Sequence, residues 1–367
     1  MSTDAWSETA EQRQSFRSVA EPTAPPAAAE KPLAARRGQR LRMLFPHVGL
    51  SSFIRQDLET LRTRHEVRLV SCESPWRMLL SPLRVPWADC VFCWFGSLRF
   101  LPLCLAARLL GRRVVVIAGG YDVADVPEIG YGNMRRGPTR WLGRLLFRLA
   151  DLVISYSHSG DAEVRDHARV PPERRQMLYL GFDPEDNGKQ RLQAKEDLVL
   201  TVAIIDEFTI RRKRLLDVAH TSRLVPDVRF VLAGPYQPEA LAQIKEVAGP
   251  NLECPGYVSD EELRNLYARA KVYYQPSVHE AFGCAVAEAM LYNCVPVVTR
   301  RYSLPEVVGE SGYYVEAGDR EGMAAAVRRA LIGPPSHVES PRERIARKFP
   351  ASRRADELLS LMEQFAP

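Results

Sequence analysis

The chain has 367 residues, a formal net charge of +5, 46% hydrophobic and 26% charged residues. That length suits about two domains of ordinary size. The balance excludes a collagen-like, a low-complexity or a strongly acidic disordered protein. Seven cysteines, an odd number scattered along the chain, exclude a disulfide-stapled scaffold and fit a reducing, cytoplasmic setting.

Residues 1–39 are rich in Ala, Pro and charge with no apolar period, and read as a disordered leader. Asp4, Glu8 and Glu11 interrupt any signal-peptide run. From "LRMLFPHVG" onward, short apolar runs alternate with helical patterns. The helix "SFIRQDLETLRTR" is predicted to put Ile54, Leu58 and Leu61 on one face and its charges opposite. "EVRLVS", "CVFCWF", "RVVVIAGG" and "LVISYS" are almost continuously apolar, the pattern of strands buried on both faces of a parallel sheet. Asp89, Arg99 and Arg108 break the run at 87–110 before it reaches the roughly 18 apolar residues of a membrane span. It reads instead as strand, helix and strand, with Cys90 and Cys93 packed in the core. Residues 40–184 carry 21 Arg, no Lys and 14 Asp or Glu, a basic half suited to phosphates, a membrane surface or an acidic substrate. "RWLGRLLFRLAD" sets Arg140, Arg144 and Arg148 on one stripe, beside Trp141, Leu145 and Leu149. Contact with an anionic membrane is one reading; a helix packed on its sheet with a solvated basic side is the favoured one.

A Gly-, Pro- and Asp-containing stretch follows, and the alternation restarts with "LVLTVAII", "VRFVLAGP", "LECPGYV", "KVYYQPS", "VPVVT" and "GYYVEAG". Ser259 and Glu262 form a capping box at the start of "DEELRNLYARA". The expected organisation is a leader at 1–39, an N-terminal domain at 40–184, a linker at 185–196, a C-terminal domain at 197–345, and a final helix at 346–367 packing back on the first domain. The fold class is α/β, two doubly wound Rossmann-like domains facing a cleft. In such sheets ligands sit beyond the carboxyl ends of the strands.

"PSVHEAFGCAVAEAM" is the densest motif. Its strand-to-helix loop holds Glu280, the Phe282-Gly283 step opens the helix, and Glu288 lies in the second turn. Free N–H groups at a helix start favour a phosphate. Helical side chains lean back toward the N-terminus, so Glu288 is positioned for a ribose, and Glu280 is left free to face whatever the phosphate carries.

The wider text "EAFGCAVAEAMLYNCVPVVTRRYSLPEVVGESGYYVEAGD" resembles the donor-binding region of family-4 retaining glycosyltransferases, which have the GT-B fold. "FVLAGP", "PGYVSDEELRNLYARAKVYYQPS" and "ADLVISYSHSGDAEV" extend the resemblance upstream. It implies transfer of a sugar from a nucleoside diphosphate sugar to an acceptor hydroxyl, with Glu280 and Lys213 catalytic. It implies that Lys213 pairs with the diphosphate, with Arg212 beside it. Gly49 would cover the diphosphate, and the backbone of Gly256, Tyr257 and Val258 would meet the nucleobase, although these three also read as an ordinary turn. Phe282, Gly283 and Glu288 complete the donor set. An Arg common in the family is replaced by Ala203-Ile204-Ile205, and a common His by Gly119-Gly120-Tyr121-Asp122. Tyr121 and Asp122 become the acceptor-side candidates. Because no Asp-x-Asp occurs, neither a divalent metal nor another cofactor is implied, and no nucleic-acid partner is expected. Competing classes are an inactive sugar-nucleotide-binding subunit and a GT-B epimerase or hydrolase.

Overall fold

A computed structural model describes residues 40–183 and 194–365; the expected leader and most of the expected linker lie outside these. The first sheet contains β1 Arg42–His47, β2 Glu66–Ser71, β3 Cys90–Trp94, β4 Arg113–Ile117, β5 Leu152–Ser155 and β6 Arg175–Met177. Their spatial order is β2-β1-β3-β4-β5-β6, and each pairing is parallel. The second sheet contains β7 Glu196–Val202, β8 Arg229–Ala233, β9 Leu252–Gly256, β10 Ala270–Gln275, β11 Val295–Thr299 and β12 Tyr313–Val315. Its order is β12-β11-β10-β7-β8-β9, also parallel throughout. Both are doubly wound α/β sheets. The order reverses between β1 and β3 in the first and between β7 and β10 in the second, so a crevice opens at each switch point.

The helices of the first half are α1 Ser52–Arg64, α2 Pro75–Leu80, α3 Leu101–Leu109, α4 Pro138–Leu149 and α5 His158–Glu163. Those of the second are α6 Glu207–Lys213, α7 Leu215–Leu224, α8 Pro238–Val247, α9 Asp260–Arg269, α10 Cys284–Leu291, α11 Leu304–Val308, α12 Arg320–Ile332, α13 Pro341–Lys348 and α14 Ala351–Glu363. The Ser259–Glu262 capping box closes reciprocally at the start of α9. In α1, Ile54, Leu58 and Leu61 face the core.

Two helices depart from their predicted faces. In α1 one charge, Asp57, also points inward and is 2% exposed. It accepts from Trp94 Nε1 at 3.0 Å and from Arg354 Nε and Nη2 at 3.1 and 2.7 Å, so α14 is clamped onto α1. Arg354 also donates Nη1 to the Leu178 carbonyl at 2.7 Å. A buried carboxylate needs such a partner. In α4 the predicted stripe does not stay together on the solvent side. Arg144 is buried and donates Nε to the His167 carbonyl at 2.8 Å. Leu146 and Phe147 pack inward, whereas Trp141, Leu142 and Leu145 are exposed. The four cysteines Cys72, Cys90, Cys93 and Cys104 are buried free thiols in the first half.

A continuous apolar cluster runs from the α1 face of the first sheet into the second half through Phe282. The Phe282 ring sits 5.6 Å from Phe182 and 5.2 Å from Phe349, with Tyr156 and Tyr179 at 6.4 and 6.5 Å. Packing across the two sheets thus fixes the loop that carries the Glu280 motif.

Candidate active site

At the switch point of the second sheet, β7 and β10 lie side by side, and the segments that follow them supply the charged groups. After β7 the chain turns through Asp206, whose side chain caps α6 by accepting from Thr209 N at 2.6 Å. Lys213 is the last residue of α6, and Arg214 ends the helix in the left-handed conformation. Lys213 therefore does not head a helix. It closes one, where the carbonyl end of the dipole favours a cation. The residue is 9% exposed, and its ammonium donates to Gln275 Oε1 at 2.9 Å and to the Val202 carbonyl at 3.2 Å.

After β10 the loop brings in Glu280, which is 9% exposed. Its Oε1 accepts from Gln275 Nε2 at 3.0 Å, Ser277 Oγ at 2.9 Å and Arg212 Nη1 at 3.1 Å, with Lys213 Nζ at 3.8 Å. Glu280 is thus not left free by its loop; it anchors a pair of cations. Gln275 joins the two charges through one amide. Its oxygen faces an obligate donor and its nitrogen an obligate acceptor, which fixes its orientation. Burial alone would raise the Glu280 pKa, but the charges of Arg212 and Lys213 and the Ser277 bond hold it below its ordinary value. Burial lowers the Lys213 pKa, and Glu280 opposes that shift.

The loop itself is pinned. Thr299, Arg212, Ser303 and Ser157 side chains donate to the carbonyls of Ser277, His279, Glu280 and Ala281 in turn. Val278 N donates to the Arg212 carbonyl at 2.8 Å, stitching the two segments together. Gly283, at φ +96°, is the N-cap of α10, a backbone state that an L side chain rarely adopts. Such over-determination is what a preorganised polar site requires.

A cavity of about 560 Å³ opens onto Arg212, Lys213, Gln275, Glu280 and Gly283 from the second half. Its opposite wall is aromatic: Phe53, Phe95, Tyr121, Tyr131 and Tyr156, with Phe208 from α6. Tyr131 stacks on Phe208 at 5.2 Å and lies 5.8 Å under the Arg212 guanidinium. Gly120 permits the close approach of the halves, since a Cβ there would meet Ala281 Cβ at 2.6 Å.

Glu288 is not among the residues that line this cavity. It accepts from Tyr267 Oη at 3.2 Å, and burial pushes its pKa up to about 7. Phe282 lines the cavity, and its ring also packs in the core. Tyr121 lines the cavity, but Asp122 turns inward: it accepts from Gly119 N at 2.9 and 3.0 Å and from Gly96 N. These bonds tie two loops, burial raises its pKa to about 6, and it lines a further cavity together with Tyr121. Gly49 lines a second cavity, of about 630 Å³, at the first sheet's switch point with His47, Ser51, Trp94, Phe95 and Arg99. Gly256 closes β9 at φ +84°, Tyr257 is 75% exposed, and Val258 packs on the core. None of these three lines the Glu280 cavity. Gln275, Ser277, Tyr131 and His279 escaped the sequence reading. Gln275 had a signal, a lone amide ending an apolar strand. His279 bonds Glu163 across the halves at 3.0 Å. Arg211 is exposed and pairs with Glu207, which leaves Arg212 as the arginine at the site. Among the described residues, no cluster of three His, Cys, Asp or Glu is arranged to hold a metal, and no helix is long and apolar enough to cross a membrane.

Two doubly wound domains joined across a cleft, with the charged switch point in the second, define a GT-B fold. Anabaena HepE, solved in complex with UDP and glucose, superposes with a TM-score of 0.68 at 15% identity, covering 88% of this chain and 99% of that one. Residues 200–332, the region that holds the whole charged cluster, match the family model Glycosyl transferases group 1. The serotype-specific mannosyltransferase WbdA of Escherichia coli is 27% identical over 207 residues, half of this chain but only 25% of that protein. A Campylobacter jejuni N-acetylgalactosamine-N,N'-diacetylbacillosaminyl-diphospho-undecaprenol 4-alpha-N-acetylgalactosaminyltransferase is 25% identical over 243 residues, 62% of this chain and 64% of that one.

Proposed function

We propose that the protein is a retaining glycosyltransferase that moves a sugar from a nucleoside diphosphate sugar to an acceptor hydroxyl without a metal ion. The observation that carries this reading is the Arg212–Glu280–Gln275–Lys213 cluster, buried at the switch point and facing the cavity. The diphosphate lies against Lys213 and the backbone at Gly283, where fixed positive charge meets the negative charge that grows on the leaving group. Glu288 receives the ribose hydroxyls. Glu280 spends one carboxylate oxygen on its neighbours and turns the other to the sugar, where it stabilises positive charge at the anomeric carbon.

The anomeric carbon–phosphate oxygen bond breaks as the acceptor oxygen bonds the same face of that carbon. The acceptor proton passes to the departing phosphate oxygen. The aromatic wall of Tyr121, Tyr131 and Phe208 excludes water, so transfer outcompetes hydrolysis. Purified protein incubated with a panel of nucleotide sugars tests the reading. Nucleotide release that depends on an added acceptor, with an α-linked product from an α-linked donor by NMR, is the expected result. Inverted product, or release equally fast without any acceptor, overturns it.

A further inference from the structure

Helix α5 and its N-cap Ser157 lie in the first half, but their polar groups reach the second. Ser157 Oγ donates to the Ala281 carbonyl at 2.8 Å. Glu163 Oε1 meets His279 Nε2 at 3.0 Å. His158 N and Ser159 N donate to the Glu306 carboxylate at 2.9 and 3.0 Å. The first two contacts fall on residues 279 and 281, the neighbours of Glu280 on either side. The third holds α11, and Ser303, the N-cap of that helix, donates to the Glu280 carbonyl at 2.8 Å.

These contacts are not of the exposed kind that contributes little. Ser157 and His279 are fully buried and Glu163 is 6% exposed. The His279 ring packs on Tyr131 and Tyr302, at 4.9 and 4.2 Å, so it cannot turn to another partner without breaking that packing. A carboxylate buried to this degree is costly unless a donor meets it, so Glu163 and His279 hold one another in place. Arg301 and Glu128 also pair across the halves, but their side chains are 43% and 55% exposed. The second half supplies Thr299, Arg212 and Ser303 to the Glu280 loop. The side-chain partners of the Ala281 carbonyl and of the His279 ring nitrogen come from the first.

We propose that Ser157 and Glu163 are positioning residues for Glu280, a role that rests on the reading of Glu280 as the group that faces the sugar. Through them the first domain completes the geometry of a carboxylate that the second domain carries. Ser157 fixes the backbone after Glu280, and Glu163 fixes the ring before it. A small displacement of a reacting group is enough to slow transfer severely, so neither residue has to touch substrate to govern the rate.

Amide hydrogen exchange of the full chain tests the hold without any substrate. Glu163→Ala and Ser157→Ala should each lower protection of residues 277–283 by roughly tenfold or more, while β11 in the same sheet exchanges as in the parent. Steady-state transfer tests the effect on chemistry. With the sugar nucleotide that is active in the donor panel, each variant should lose roughly tenfold in kcat and keep its donor KM within about twofold. Glu163→Gln still presents an acceptor to the imidazole N–H and should recover most of the loss. In a Glu280→Ala background Glu163→Ala should cost nothing more, because both act through one group. Glu128→Ala, which breaks the exposed pair across the halves, should leave both measurements unchanged. Unaltered protection of residues 277–283 overturns the proposal whatever the turnover. So does an equal loss with and without Glu280, or a rise in donor KM that matches the fall in kcat. Full turnover by Glu280→Ala would instead refute the transfer role of Glu280, and the exchange result would still decide whether α5 holds the loop.

Discussion

The two sheets reverse strand order at equivalent places, yet the two crevices have opposite chemistry. Between β7 and β10 the crevice is floored by Arg212, Lys213, Gln275 and Glu280. Between β1 and β3 it is walled by Phe45, Phe53, Trp94, Phe95 and Phe100, with Arg99 at the margin. The backbone solution is shared; the residues directly after each strand make the difference. A doubly wound sheet supplies a place to bind, and its loops decide what is bound. On the proposed reading, the charged crevice holds and polarises the donor and the aromatic one takes the acceptor.

This contrast breaks first at Lys213. Lys213→Ala should lower kcat by about 100-fold or more, the usual scale for removing one electrostatic group that acts on a leaving group, while donor affinity falls less. A rise in KM with kcat intact, measured by steady-state kinetics, would make Lys213 a ground-state binder and pass the chemical role to Arg212. Glu288→Ala should weaken donor binding by roughly 1–3 kcal/mol, read by calorimetry.

Glu288 also gives the charged side a pH signature. Its folded pKa of about 7 lies above its ordinary 4.5, so the neutral form is favoured in the fold. Its stability contribution is complete below the ordinary value and lost as pH rises through 7. If the ionised form takes the ribose, donor affinity should rise by up to about tenfold from about pH 6 to about pH 8, and Glu288→Gln should flatten that profile. A profile unchanged by the substitution removes the ribose role.

On the aromatic side the sharpest probe is Phe95. It holds φ +73°, costly for a bulky residue, and it lines the cavities of both crevices. Phe95→Ala should raise the acceptor KM by roughly tenfold, from lost apolar contact, and leave the donor KM within about twofold. Equal loss on both substrates would erase the division of labour. The smallest expected effect is that of chelation. EDTA should leave turnover unchanged, since Lys213 and Arg212 provide the positive field; loss of activity restored by magnesium or manganese would refute that arrangement.

How much of this the sequence disclosed follows from the range of the forces involved. Parallel strands buried on both faces write themselves as continuous apolar runs, so β3, β4, β5, β10 and β11 were readable. The Ser259–Glu262 box is a contact between near neighbours and was readable too. β6, with the text Arg-Gln-Met, is a short polar edge strand with no apolar run to announce it. Asp57 and Arg144 looked like solvent-facing charges because their partners are Arg354 and a backbone carbonyl at His167, which periodicity does not encode. The same holds at the site. Glu280, Gly283 and Lys213 were legible as motif residues, but the bond from Arg212 to Glu280 spans 68 positions. Whether a carboxylate in a loop is free or clamped is decided by such distant partners.

The clamp between Asp57 and Arg354 joins positions 297 apart, and its consequence is one of timing. At a synthesis rate of about 5–20 residues per second, roughly 15–60 s pass between the emergence of these two partners. Until α14 arrives, Asp57 has the Trp94 bond but lacks its cationic partner, and the flank of α1 that α14 covers is open. The packing of the first domain is therefore completed last, once the helix that begins at Ala351 has been made.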